Sequence, residues 1–233
     1  MATTAIPNTT KVEFLEAAHC TMVAQTSLAG AGASAAFTIT GLTSTAGVAV
    51  GAAAGGTGVA AGAIVASIDS ATQVTVSKAH TGTVTSGTIS FTADACKIVL
   101  IKVTPAGTYD ATLSNGGTPG TGAPSTTNIG TDEVAASGSY SAGGGALTNV
   151  SPILSATTGV GAFANISFTS ATISTVAGVI VNSNTRLGAA TFALGANRTV
   201  GVFDFGGTQT VTAGTLSLVM PTQNSSTGLL RIA

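Results

Sequence analysis

The stretch GVAVGAAAGGTGVAAGAIVASI, residues 47–68, decides the fold. It is 22 residues long and uncharged, which is the length of a membrane-spanning helix. Gly47, Gly51 and Gly55 even repeat every four residues, like a helix-packing face. A helix is nevertheless a poor reading. Six glycines fall in the stretch, and each costs roughly 1 kcal/mol relative to alanine inside a helix. No basic flank and no Trp or Tyr anchor stands at either end, as a membrane span would require. The flanks alternate instead. Phe37 and Ile39 interleave with Thr38 and Thr40; Val74 and Val76 follow the same rule, as do Ile89 and Phe91. Period-two alternation with Thr and Ser between apolar residues marks half-buried strands, and the glycines supply turns that need positive φ. The stretch is expected to be short strands joined by tight turns, with no membrane span.

Composition supports an all-β chain that binds other chains. Only 6% of the 233 residues are charged and the formal net charge is −1. Such a chain steers neither nucleic acid nor an anionic membrane. Its 44% apolar content argues against disorder, and a weakly charged surface opposes self-association poorly. The opening MATTAIPNTTKVEFLEAAH has neither the basic start nor the unbroken apolar core of a secretory signal, so synthesis in the cytoplasm is expected. Cys20 and Cys96 are too few for a disulfide framework or a zinc site. Two reduced thiols are expected, with one bridge closing residues 21–95 as the alternative.

Three segments are expected: an N-terminal arm (1–27), a small Gly/Ala/Thr-rich β module (28–93), and a β-sandwich or jelly-roll-like domain (94–233). Within the arm, residues 11–24 carry the one helix-like pattern, with Phe14, Leu15 and Ala18 on one side. The last segment opens with the apolar run Ile98–Val103 and then crosses a Gly/Pro/Thr region, 114–134, rich in turn chemistry. Short runs rich in Val, Ile and Phe follow: NVSPIL, AFANISFT, TISTVAGVIVNS, TVGVFDFG, TLSLVMP and GLLRIA. They read as strands of a sandwich, with AGVIVNS and GVFDFG central and covered on both faces.

The residues offer little for catalysis, cofactor binding or metal binding. AGGTGVAAG lacks the Gly-Lys-Ser/Thr that a phosphate loop needs, and no Lys lies between Lys11 and Lys78. His19 and His80 are far from each other and from any acid cluster, and SGSYSAGGG does not fit Gly-x-Ser-x-Gly. Asp132 and Glu133 are adjacent, so on a strand they point to opposite faces and cannot share one cleft. A solvated strand entry or a bond to backbone N–H is expected for them, with a calcium site including Asp204 as the alternative. Arg186, Arg198 and Arg231 are too scattered for a nucleic-acid face. The acceptor triplets at Asn8, Asn149, Asn165, Asn197 and Asn224 fit chance in a Thr-rich chain. No enzyme activity, no cofactor and no metal are expected.

Two resemblances add to this. GVAVG, GTGVAAG, IVASI and VTVS, across residues 47–77, resemble a small β module common in phage and bacterial surface proteins. The region from 127 to the end is similar to a tailed-phage virion structural family. The matching residues are Glu133 and Val134; Gly138, Tyr140, Gly143 and Gly144; Val181 and Asn182; Asp204, Phe205 and Gly206; and the closing Leu230, Arg231 and Ile232. Val181 stands where the family often has Tyr. The resemblance implies a protein displayed on a virion. Capsid decoration is expected, with the major capsid protein lattice as partner, head surface as location, and a homotrimer by analogy. A tail-fibre or tail-tip component that adheres to the host is the alternative; the absence of Trp and the presence of only two Tyr disfavour it.

Overall fold

The structure, a computed structural model, describes residues 4–6, 22–105, 109, 111–183 and 197–232. The strands are β1 (Thr4–Ala5), β2 (Gln25–Leu28), β3 (Thr38–Ile39), β4 (Ala53–Gly55), β5 (Ala63–Ser70), β6 (Gln73–Val76), β7 (Ile89–Thr92), β8 (Cys96–Ile101), β9 (Gly145–Ala146), β10 (Asn149–Ser155), β11 (Thr158–Phe163), β12 (Ile166–Asn182), β13 (Arg198–Leu218) and β14 (Leu230–Ile232). A single 3-10 turn, Gly130–Asp132, is the only helical element among the described residues. The fold is all-β, as the alternation predicts. Most of the helix-like stretch 11–24 lies outside the described residues; Met22–Ala24 are not helical, and Met22 is buried in a β core.

The first sheet runs β2-β7-β4-β5-β6-β3. Its outer strands meet. Just past β2, Ala31 exchanges two 2.8 Å backbone hydrogen bonds with Thr40, just past β3. The sheet therefore curls into a small, nearly closed barrel, and closure removes exposed edges. Ile39, Val65, Val74, Val76, Ile89 and Phe91 fill it. The stretch 47–68 contributes β4, the start of β5 and turns at Gly47, Gly51, Gly56, Gly58 and Gly62, all at positive φ. At Gly58 the reason is spatial as well: a Cβ there would collide with the carbonyl of Thr83.

The second unit is a sandwich of two sheets. One runs β1-β13-β12-β8-β9 and the other β10-β11-β14. Alternate residues of the five-stranded sheet enter two cores. Ile98, Leu100, Ile180, Val200 and Phe203 face the three-stranded sheet, packing with Phe163, Phe168, Tyr140 and Leu230. Val99, Ile101, Val179, Val181 and Val202 face the other way and are covered by Tyr109, Leu113 and Ile129. The run Ala177–Asn182 is thus buried on both faces, as its unbroken apolar sequence predicts; the run 201–206 is buried only as far as Phe203, since Asp204 and Phe205 are half-buried and Gly206 is exposed.

The Gly/Pro/Thr region is packed on the sheet and holds itself there. Asn128 Oδ1 accepts from Thr118 N at 2.9 Å and Gly130 N at 3.1 Å, while its Nδ2 donates to Thr121 O at 3.0 Å. Gly116 N donates to Asn197 O at 2.7 Å, tying the region to the start of β13.

The chain order differs from the spatial order at the N-terminus. β1 pairs with β13 of the second unit, Thr4 opposite Phe203 and Ala5 opposite Val202, and Ile6 packs on that unit's core. The barrel, built from β2 through β7, lies in sequence between β1 and β8. Its entry and exit are held side by side: Asn149 Nδ2 donates to both Met22 O and Asp94 O at 3.2 Å. Nearby, Asn182 Nδ2 donates to Asp94 Oδ2 at 2.7 Å.

Candidate interaction surface

The residues singled out in the sequence build a clamp on the sandwich. Glu133 is 5% exposed, and its Oε1 accepts from Tyr140 Oη at 2.8 Å and from Gly143 N at 2.7 Å. Tyr140 Oη accepts in turn from Leu100 N at 3.0 Å, on β8, and its ring stands edge-on to Phe168 of β12 with centroids 5.1 Å apart. Burial first, and the nearby Glu133 carboxylate as well, push the Tyr140 phenol far above its usual range. Next door, Asp132 Oδ2 accepts from Tyr109 Oη at 2.7 Å. Burial and this carboxylate raise the Tyr109 phenol in the same direction. The two neighbouring acids thus serve two different tyrosines. The solvated strand entry expected for Glu133 is not found; its bond to a backbone N–H is.

The glycines of this segment bring the clamp close to the sheet. Gly138 has φ +57°, and a Cβ there would collide with the carbonyl oxygens of Thr169 and Ser170. That close approach lets Ser139 N donate to Thr169 O at 3.0 Å and Ser139 Oγ accept from Thr169 N at 2.8 Å. Ser137 Oγ accepts from Thr172 N at 2.8 Å. The outer side of β12 is therefore covered by the turn at 137–140. Gly144, at φ +92°, presses against the Ile98 carbonyl in the same way.

Asp204, Phe205 and Gly206 mark where the β12–β13 ribbon changes course. Between Ala177↔Asp204 and Thr175↔Gln209, β12 advances two residues while β13 advances five. The surplus forms a bulge, fixed by a 2.8 Å bond from Gly206 N to Asp204 Oδ1. Beyond it the ribbon continues to the pair Ile166↔Leu218, past the end of β8.

Among the described residues, this geometry leaves one side of the sandwich core open. Ile98, Ile180, Phe203, Phe205, Leu216 and Met220 line an open cleft of about 370 Å³, with Asp204 the sole charged side chain among the described residues of its wall. On the rim Val219 is 77% exposed. Phe205, Val211, Leu216, Leu218, Met220 and Leu229 pack on the core but are only half-buried. Among the described residues, Val103 is the fringe residue of the opposite core.

The remaining chemically suggestive residues lie elsewhere. His80 is buried in the barrel, with Nε2 3.0 Å from Thr38 O; His19, Cys20 and Arg186 lie outside the described residues, and Cys96 is buried at the start of β8. Arg198 is buried at the start of β13, and burial lowers its guanidinium from the usual value. Arg231 Nη1 donates to the carbonyls of Ser225 and Ser226. Among the described residues, no three His, Cys, Asp or Glu side chains come together as metal ligands. Asp204, proposed with Asp132 and Glu133 for calcium, accepts from Gly206 N while the other two face tyrosines. Asn149, Asn165, Asn197 and Asn224 all use their side chains in hydrogen bonds within the chain. No described helix is long and apolar enough to cross a membrane. No family model matches the chain, and neither a curated protein nor a solved structure is similar to it.

Proposed function

We propose that this chain is a bacteriophage virion structural protein that decorates the capsid. It binds the outer face of the major capsid protein lattice through the apolar cleft and its rim, and bridges neighbouring capsomers. The observation that carries this reading is the apolar cleft at Phe205, Leu216 and Met220, rimmed by Val219 and open among the described residues, in a chain with 7 basic and 8 acidic residues. Attachment then rests on apolar burial and not on charge. At about 25 cal/mol per Å², a standard contact of roughly 800 Å² per partner has a gross gain of ~20 kcal/mol before association entropy is subtracted. Repetition over a lattice adds avidity. The resemblance of residues 127–233 to virion proteins supports the same reading. Its motif residues here form the Glu133–Tyr140 clamp and the Asp204–Gly206 bulge, which are devices of construction with no reactive group at their centre.

The test is to prepare heads with and without the protein and heat them. Decorated heads are expected to release their genome at a higher temperature, and bare heads to regain that temperature when the purified chain is added back. Equal release temperatures would overturn the cementing role.

A further inference from the structure

Asn115 and Gly116 form the single Asn-Gly pair of the sequence. Such a pair has a chemistry of its own. The backbone nitrogen of the second residue attacks the side-chain amide carbon of the first, and glycine, lacking a side chain, leaves that approach clear. Asparagine is accordingly among the thermally labile residues.

The fold treats the two reacting groups differently. The attacking nitrogen is restrained. Gly116 is buried, its N–H donates to Asn197 O at 2.7 Å, and its carbonyl accepts from Ile129 N at 2.9 Å. Asn197 grips the segment a second time, with Nδ2 donating to Gly117 O at 2.9 Å. The attacked amide is polarised instead. Asn115 Oδ1 accepts from Gly117 N at 2.6 Å. That N–H stands where negative charge develops on the oxygen as the amide carbon is attacked, and a donor so placed favours the reaction. One half of the reaction centre is thus built, and Asn197 holds back the other half.

We propose that Asn115 is a self-modification site gated by Asn197: its amide is kept while the Gly116 peptide is bound to Asn197, and lost when that contact opens. In the step, Gly116 N bonds to Asn115 Cγ, the Cγ–Nδ2 bond breaks, and ammonia leaves with the proton from Gly116 N. Water then opens the cyclic imide to an aspartate or an isoaspartate. One water is consumed and one ammonia released, with no change of oxidation state. Isoaspartate also adds a carbon to the main chain between two ladder bonds, Thr199 N to Ser114 O at 3.3 Å and Gly116 N to Asn197 O. The altered strand then no longer matches β13 at Arg198, where Asn115 is paired, so conversion is a permanent record of opening. This inference does not depend on virion attachment.

Peptide mass spectrometry of the full chain, incubated at mildly alkaline pH in buffer and in urea, provides the test. Local closing suppresses a reaction that needs the open form, so conversion at Asn115 is expected to be at least tenfold slower in buffer. A rate in buffer that matches or exceeds the rate in urea, or no conversion in either, overturns the proposal. A second measurement tests the gate itself. Asn197→Gly suits the φ of +67° at that position and removes the bond to Gly117 O. Conversion at Asn115 in buffer is expected to rise at least threefold, with conversion at Asn224, which precedes Ser225, unchanged. No rise at Asn115, or an equal rise at both sites, overturns the local gate. Neither measurement involves heads, so a negative result here leaves the decoration reading to its own test.

Discussion

Tyr140 Oη lies 2.8 Å from Glu133 Oε1 and 3.0 Å from Leu100 N, so one phenol joins a buried carboxylate to a central strand. Tyr140→Phe keeps the ring against Phe168 but leaves both groups short of a partner in a buried place. Leaving buried polar groups unsatisfied costs about 1–3 kcal/mol. Urea unfolding of Tyr140→Phe is expected to show a loss in that range. A change below ~0.5 kcal/mol would mean that the bond contributes nothing net.

Alkaline pH should unfold the protein early. Both Tyr109 and Tyr140 are held above their ordinary value of 10.0, chiefly by burial. Above that value the unfolded chain ionises its tyrosines while the folded chain does not, so the unfolded state binds fewer protons and stability falls as pH rises. Stability is therefore expected to be unaffected by these groups below pH 10 and to decline above it. Denaturant midpoints at pH 9 and pH 11, compared for the native chain and Tyr140→Phe, check this. The decline should be shallower in the variant; identical slopes would remove Tyr140 as a cause.

Gly138 and Gly143 both have positive φ, yet they should respond differently to alanine. A Cβ at Gly138 meets the backbone of β12, whereas at Gly143 nothing lies within 4 Å. Gly143→Ala carries only the left-handed backbone penalty of about 1–2 kcal/mol. Gly138→Ala adds a steric clash with backbone and should cost at least twice as much, or prevent folding. Equal melting temperatures for the two variants would contradict the packing described for the 137–140 turn.

Val219, at 77% exposure on the cleft rim, separates stability from attachment. Val219→Asp is expected to leave the melting temperature within a few degrees, because exposed substitutions change stability by roughly 0.5 kcal/mol or less. It should weaken binding to bare heads at least tenfold in a co-sedimentation titration, by placing a charge in the apolar contact. Undiminished binding would move the attachment site away from this cleft.

Much of the fold is readable in the sequence because alternation is a local property. Phe37, Ile39, Val74, Val76, Ile89 and Phe91 mark strands whose glycine-rich neighbours make the turns. The ribbon was harder to read, since TISTVAGVIVNS with its predecessor, and TVGVFDFG with TLSLVMP, look like separate strands. They are two continuous ones, β12 and β13. Ser170 and Ala213 sit at positive φ where the register shifts, and such bulges break the period of two without breaking the ladder. The partners of Asp132 and Glu133 depend on long-range packing; Tyr109 lies 23 positions from Asp132. β1 has no pattern to detect in two residues, and its partners Val202 and Phe203 lie near the other end of the chain. The open cleft was invisible for the same reason, since it is assembled from β8, β12, β13 and the segment before β14.

The claim that this is a head-bound virion protein is tested most directly by imaging intact particles, with and without the chain, and locating the density that differs. The account predicts additional density repeated over the capsomers of the head. Density confined to the tail, or no difference between the two particles, would contradict it.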